Sequence, residues 1–420
     1  MNRPRLTSGS SAAEVRTGVR DWLRETLPQA WLDAVDAGDD AALRVARQST
    51  DVDDLVRRVG AAGLSTPDWA VEHGGLGLGR DGALAVAAEL RAHRVPGRFN
   101  PIGLGMAAPT ILRWGTDEQK RHHLPGLADN SDNWCQLFSE PGAGSDLSSL
   151  ATRAVRDGAG GATADDSDWI VNGQKVWTSM AHVARYAMLL ARTDPAAPKH
   201  RGITYFILDM SSPGIEVRPL RQLTGEAEFN EVWLTDVRVP DSARLGPVDE
   251  GWTVARTTLV NERNALSGAS GASLGGSGVD ALLRAGAEVG AWDDPVLADR
   301  MASVLIDAKL LRAGNARAAR ARAGGDGAGP EGSITKLFAT EHNKRMQGLA
   351  VAVAGLGAVA WEPGSPQERT VRGFLRAQAN SIEGGTSEIQ RNLIAERILG
   401  LPREADPSRD VPWQQMRRSG

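Results

Sequence analysis

The stretch Trp134–Leu150, WCQLFSEPGAGSDLSSL, decides how the rest of the chain is read. It starts as a short apolar run and breaks at Pro141-Gly142, where Gly142 and Gly144 allow backbone geometry and close approach that a side chain would forbid. Ser139, Ser145 and the exposed N–H groups of the turn then face a ligand. A second donor-rich turn lies far along the chain at Ser381–Arg391, SIEGGTSEIQR. Its Gly-Gly-Thr opens a helix marked by Ile389, Leu393, Ile394 and Ile398, and a helix N-terminus is a seat for phosphate. Taken singly, each turn reads as an ordinary surface loop. Taken together, they predict one long polar ligand.

Outward from these turns, the sequence divides into three regions. Residues 1–130 read as a helical domain: Ser11 and Glu14 form a capping box, Val52, Leu55, Val56 and Val59 recur at helical spacing, and Thr116 with Gln119 caps a further helix. Residues 131–245 read as a β-barrel domain. Its strands are Tyr186–Ala191, Ile203–Met210 and Glu231–Val239, and Asn172-Gly173 has the composition of a two-residue hairpin turn between Trp169–Val171 and Lys175–Trp177. Residues 246–402 return to long helical patterns that predict a bundle. The tail, 403–420, is expected to be mobile. The loops Asp157–Asp168 and Asp194–Arg201 are expected to be exposed, and Gly324–Gly332 to be a connector.

With 420 residues, a net charge of -4 and basic residues spread along the chain, the composition argues against a nucleic-acid partner. The single cysteine, Cys135, forms no internal disulfide and fits a reducing compartment. MNRPRLTSGSS lacks a signal-peptide core, and Leu349–Trp361, the longest apolar run, is too short to span a bilayer. A soluble, cytoplasmic protein without a membrane span is expected. The histidines show no metal-ligand spacing, and neither a G-x-G-x-x-G fingerprint nor a Walker A string is present. Gly271–Gly275 satisfies G-x-S-x-G but has no preceding strand, so chance explains it.

Both signature turns resemble those of the acyl-CoA dehydrogenase family. Further matches follow in the family's order: Thr66-Pro67 through Gly74–Gly77, Ala108–Thr110 with Gly115–Lys120, Asn172–Trp177, and Glu262-Arg263. The resemblance runs from about residue 14 to residue 402. It implies an α+β multidomain fold with an N-terminal α-helical domain, a middle β-barrel and a C-terminal four-helix bundle. It also implies FAD and the α,β-desaturation of an acyl thioester, carried on CoA or on a carrier protein, with electron-transfer flavoprotein as electron acceptor. Carried across position by position, Phe138 and Ser139 hold the flavin ring, Trp177 flanks it and Ser179 approaches N5. Ser145 meets flavin phosphate or substrate, and Thr386 and Glu388 meet the ribityl-adenosine portion.

Two departures from the family pattern matter. Where many members carry the catalytic glutamate, immediately before the Gly-Thr of the second signature, this chain has Gly384. Isovaleryl and long-chain members instead place a glutamate before an arginine on the first long C-terminal helix, and Glu262-Arg263 matches that arrangement. Glu262 is therefore the expected base, Arg263 a substrate contact, and Gly384 a backbone donor to the thioester carbonyl. The second departure is that the Arg-x-x-Phe-Gly and Gln-x-x-Gly-Gly segments, which in homotetrameric members reach the neighbouring flavin, are replaced by RAGAEVGAWDDP and VAVAGLGAVAW. Either a homo-oligomer or a heterotetramer with a related subunit is open. The rival readings are a non-catalytic subunit and a flavin oxidase or monooxygenase on the same scaffold. Ser267–Gly278 sits where the resembled family lines the acyl cavity, and close helix packing is the simpler reading of its small residues.

Overall fold

A computed structural model describes residues 3–96, 101–158, 167–267, 275–323 and 331–416. Most of Ser267–Gly278, of Asp157–Asp168 and of the Gly324–Gly332 connector therefore lies outside the described residues. The chain opens with α1 (Ala12–Thr26), α2 (Gln29–Ala37), α3 (Asp40–Gln48), α4 (Val52–Ala61), α5 (Arg80–Ala92), α6 (Ala108–Trp114) and α7 (Asp117–Ala128). Both capping boxes form, Ser11 with Glu14 and Thr116 with Gln119. Each satisfies N–H groups that a helix start leaves without partners.

The middle region is one curled sheet of β1 (Trp134–Leu137), β2 (Arg153–Arg156), β3 (Trp169–Ser179), β4 (Tyr186–Arg192), β5 (Ile203–Asp209), β6 (Ile215–Leu220) and β7 (Phe229–Val239). Strand order is β1-β4-β2-β3-β7-β6, with β5 pairing β4. β4 and β5 are near-continuous apolar runs because they are covered on both faces.

The hairpin expected at Asn172-Gly173 does not form. β3 runs unbroken through it and pairs with β7 from Trp169↔Val239 to Ser179↔Phe229. Gly173 is needed for a different reason: a Cβ there would lie 2.3 Å from Thr152 Oγ1 on the neighbouring chain segment. Asn172 exchanges two hydrogen bonds with Asp236, at 2.9 and 3.0 Å, across a register shift. Long-range pairing has outweighed a local turn preference.

The C-terminal region comprises α8 (Gly251–Ser267), α9 (Val279–Glu288), α10 (Pro295–Ala323), α11 (Glu331–Ala354), α12 (Pro366–Ala377) and α13 (Ser387–Arg397). α11 is the central helix and packs against α8, α9, α10, α12 and α13. The architecture is the expected one: helices, a curled sheet, then a helical bundle.

α8 is fixed where the three regions meet. An apolar core joins Ile111 and Leu124 of the first region, Trp134, Met188 and Tyr205 of the sheet, and Val254 and Ala255 of α8. Burying each large side chain of that core contributes about 1.5–3 kcal/mol. Direction comes from hydrogen bonds: Trp114 to Thr257 at 2.9 Å, Thr110 with Thr258 at 2.9 Å, and Tyr205 with Thr258 at 3.1 Å. The helix that carries Glu262 is thereby held from two sides.

The tail also departs from expectation at Trp413, which is docked, while residues 403–407 are exposed. Trp413 is 8% exposed, its indole N–H donates to Ser149 O at 3.2 Å, and its backbone N–H donates to Ala197 O at 2.9 Å. The Arg192 guanidinium sits 4.9 Å from its ring centroid. The loop Asp194–Arg201 is thus partly covered by the tail.

Candidate functional site

A cavity of about 2050 Å3 opens between the sheet and the helical bundle. Small-molecule sites usually hold roughly 300–1,000 Å3, so this one has room for two ligands side by side. Its wall includes Phe138, Ser139, Ser145, Trp177, Ser179, Glu262, Arg263, Gly384 and Thr386, so residues far apart in sequence meet in one place. Glu388 is not part of the wall: its side chain is 76% exposed and pairs with Arg391 at 3.3 Å. Thr386 is the N-cap of α13, accepting from Ile389 N–H at 3.2 Å.

The first signature loop is built on an internal ion pair. Lys175, at 0% exposure, donates to Glu140 Oε1 at 2.8 Å and to Phe138 O at 3.0 Å. Glu140 also accepts from the N–H groups of Ala151 at 2.6 Å and Thr152 at 2.9 Å. Desolvation pushes both groups toward their neutral forms. For Glu140 the nearby ammonium and the backbone donors outweigh it, holding the carboxyl below its ordinary value, while burial keeps Lys175 below its own. Both ends of the loop are tied to one charge pair, and Val176 N–H donates to Ser139 O at 2.9 Å.

Trp177 follows at once, and its backbone is in the left-handed region, with φ 61. It sits at the register shift between Lys175 and Thr178, and its indole is 62% exposed on the cavity. An aromatic held out of the core at such a backbone angle costs of order 1–3 kcal/mol, a strain that concentrates at ligand sites.

Glu262 projects from α8 into the cavity. Its carboxyl is pushed well above the ordinary range, chiefly by desolvation, against the opposing effects of Gln136, whose Nε2 lies 3.5 Å from Oε2, and of Arg263. Glu383, the residue before Gly384, is spoken for: Arg376 holds it at 2.9 Å and Asn380 donates to it at 2.7 Å. Of the two carboxylates, only Glu262 lacks an ion-pair partner within 4.0 Å among the described residues.

Behind Gly384-Gly385 lies a second buried lysine that the sequence did not point to. Lys336 of α11, at 0% exposure, donates to Asn380 O at 3.0 Å and Gly385 O at 2.7 Å. Gln390 donates to Gly384 O at 3.1 Å, and Asn343 to Asn380 Oδ1 at 2.8 Å. Gly384 and Gly385 have φ of 65 and 89, angles that glycine adopts freely. The Gly384 N–H makes no hydrogen bond among the described residues. The turn is therefore fixed through its carbonyls while an N–H stays available.

These residues fit a flavin. Against expectation, Gly142 and Gly144 are not in the left-handed region and would admit a Cβ without contact inside 4 Å among the described residues, so the backbone does not require glycine there and the loop faces open space. Gln222, another wall residue, has a buried Nε2 with no hydrogen-bond partner among the described residues. An exposed indole, serine hydroxyls and an orphaned amide donor are the groups a planar polar ring system needs. Among the described residues there is no cluster that could hold a metal ion and no helix long and apolar enough to cross a membrane.

The sequence matches the N-terminal domain of acyl-CoA dehydrogenase over residues 11–131, the middle domain over 135–237 and the C-terminal domain over 249–399. Among curated proteins, it is 42% identical over 341 residues to acyl-CoA dehydrogenase FadE34 of Mycobacterium tuberculosis, a match covering 81% of this chain and 45% of that protein. The chain thus spans about half of that relative's length. It is 35% identical over 404 residues to acyl-CoA dehydrogenase IpdE1 of the same organism, covering 93% of this chain and 98% of that one. Among solved structures, the Tcur3481-Tcur3483 steroid ACAD superposes with a TM-score of 0.72 at 26% identity, covering 94% of this chain and 98% of that one. The ChsE4-ChsE5 complex from Mycobacterium tuberculosis gives 0.67 at 28%, covering 95% and 100%.

Proposed function

Because the chain belongs to the acyl-CoA dehydrogenase family, we propose that it desaturates an acyl thioester between Cα and Cβ, with Glu262 as the base that removes the Cα proton. The observation that carries this reading is that a desolvated Glu262, with no ion-pair partner among the described residues, lines the same cavity as the free Gly384 N–H. Phe138, Ser139, Trp177, Ser179 and Thr386 would hold FAD, which would supply the acceptor for the Cβ hydride. Desolvation brings the Glu262 carboxylate closer to the basicity a Cα proton requires. Gly384 N–H donates to the thioester oxygen as negative charge develops there, and the fixed turn means that no reorganisation is needed at that moment. Arg263, beside Glu262, meets the substrate and keeps the base ionised over a wider pH range. Glu383 is held away from this role by its ion pair with Arg376 and the hydrogen bond from Asn380.

The test is anaerobic mixing of the flavin-loaded protein with a panel of acyl-CoA thioesters, followed by visible absorbance. Bleaching by at least one thioester, lost in Glu262→Gln, is expected; bleaching that persists in the variant overturns the assignment of the base. Rapid oxygen consumption during turnover would favour the oxidase alternative over transfer to an electron-transfer flavoprotein.

A second reading concerns assembly: the flavin site is completed by a related, non-identical chain. Three observations support it. The usual Arg, Phe and Gln contacts are missing, Leu356 and Val359 beside that region are 87% and 82% exposed, and both similar structures above are named as pairs of proteins. A chain that purifies alone as an active, fully flavin-loaded homotetramer overturns this reading.

A further inference from the structure

We propose that Arg376 is a positioning residue for this reaction, a strut that sets the sheet wall of the cavity against the Gly384-Gly385 turn. This rests on the thioester reading above and deepens it. Trp177 and Gly384 stand on different elements, the sheet and the turn before α13, so their spacing depends on whatever ties the two. Arg376, near the end of α12, reaches both. Its guanidinium grips Glu383, the residue before Gly384, with Nη2 at 2.9 Å from Oε2 and Nη1 at 3.3 Å from Oε1. On the other side its Nε lies 3.7 Å from Glu228 Oε1, and its Cζ lies 5.9 Å from the centre of the Phe229 ring. Arg376, Glu383, Gly384, Glu228, Phe229 and Trp177 all line the cavity.

Glu228 and Phe229 are tied to the sheet wall. Phe229 pairs with Ser179 across the β3–β7 ladder, and its ring stands edge-on to Trp177 with centroids 6.2 Å apart. Glu228 O accepts from Met180 N–H at 2.9 Å. The strut itself is held in place. A Cβ on Gly275 would lie 2.6 Å from Arg376 Cγ, so the arginine stem packs where no side chain fits. One turn earlier on α12, Arg372 donates to Thr224 O at 2.7 Å and lies 3.6 Å from Glu226, fastening the same segment between β6 and β7. A planar guanidinium can serve two carboxylates from one position, which an ammonium cannot match in geometry.

The strut also carries charge to the right place. Glu262 faces Gln136 of β1, Arg263 of its own helix, Lys336 of α11 and Glu383 of the turn, while Arg376 faces Glu226, Glu228 and Glu383. Without Arg376, Glu383 becomes a less compensated negative charge, which disfavours ionised Glu262.

The test uses the flavin-loaded full chain and the acyl-CoA that bleaches it fastest in the panel above. Arg376→Gln should lower the limiting rate of flavin reduction about tenfold, the loss of one charge-assisted contact, with little change in the half-saturating substrate concentration. Its apparent pKa in the pH-rate profile should rise. Adding Glu383→Gln should bring that pKa back toward wild type and leave the rate low, whereas Arg376→Lys should keep the pKa and recover part of the rate. Hydrogen exchange, read without substrate, should quicken in Arg376→Gln on both sides, in the peptides covering 221–230 and 378–386. An unmoved limiting rate, an unmoved apparent pKa, or quickening on one side alone overturns the proposal. If Arg376→Gln does not fold, Glu228→Gln replaces it: faster exchange of 378–386, on the opposite wall, is expected, and unchanged exchange overturns the strut. If no thioester bleaches the flavin yet both peptides loosen, the reaction is wrong and the strut stands.

Discussion

Replacing Lys175 with Met tests whether the buried ion pair holds the first signature loop. The change removes a 2.8 Å bond to Glu140 and a 3.0 Å bond to Phe138 O, leaving a carboxylate with 7% side-chain exposure unpaired. Breaking a buried pair from one side costs about 3–5 kcal/mol. Glu140 keeps two backbone donors, Ala151 and Thr152, which places the expected loss near the lower end, about 3 kcal/mol. That is a large share of the roughly 5–15 kcal/mol by which domains are stable. Urea unfolding reads the global loss, and hydrogen exchange of the peptide spanning 138–152 reads the local one, with faster exchange expected at Ala151 and Thr152. Glu140→Gln combined with Lys175→Met should recover at least 1 kcal/mol relative to Lys175→Met alone, because the orphaned charge is gone. A single variant within 1 kcal/mol of wild type, or a double variant no better than the single, refutes the reasoning. Flavin retained on gel filtration should fall in step with the exchange change.

Other outcomes follow from the same geometry. Glu262→Gln should slow flavin reduction by a factor on the order of 10²–10⁴. Glu262 has a raised folded-state pKa, so its contribution to stability is intact below its unfolded value and declines as pH rises through the folded value; the variant should therefore melt higher than wild type at pH 7.5, an advantage absent near pH 4. The rate of flavin reduction in wild type should climb with pH to a plateau, with an apparent pKa above the ordinary carboxylate range, as read by stopped-flow absorbance. Glu140 has the opposite sign: held below its ordinary value, it contributes above its unfolded pKa, and that contribution disappears as pH falls through the folded one, visible as a steepening acid-unfolding curve that Glu140→Gln flattens. Lys336→Met should lower kcat with little change in substrate KM, since it frees the Asn380 and Gly385 carbonyls; Lys336→Arg should restore part of the rate.

The sequence carried the fold well where the signal was local. Capping boxes at Ser11 and Thr116, the apolar runs of β4 and β5, and the Gly-Gly-Thr helix start all depend on neighbours within a few residues. Asn172-Gly173 misled because its turn preference is worth less than a full ladder with β7, which no local pattern reveals. The tail misled in the same way: Trp413 lies 264 residues from Ser149, its hydrogen-bond acceptor. At the site, Glu262 could be read because it occupies a motif. Lys336 could not, since a lysine on an amphipathic helix ordinarily faces water, and only the packing of α11 against the second signature turns it inward. Gln136 sits in an apolar strand and gave no sign of its approach to Glu262.

The proposed assignment of Glu262 as the base has consequences for the Gly384-Gly385 turn. Gly384 and Gly385 are consecutive left-handed residues, and an L side chain in that region costs roughly 1–2 kcal/mol. With the carboxylate supplied from α8, the turn is free to take the tighter form in which both carbonyls point back to Lys336 and Gln390. Burial favours neutral Glu262, while Arg263 beside it and Lys336 behind the turn favour its ionised form. Glu383 adds an opposing negative charge, and its ion pair with Arg376 limits that repulsion. The proposed base and the proposed oxyanion donor are held by separate elements, Glu262 by α8 through its hydrogen bonds to the sheet and first region, Gly384 by the turn packed on α11. Proton removal and charge stabilisation can therefore be weakened independently, which a glutamate on the turn itself would not allow.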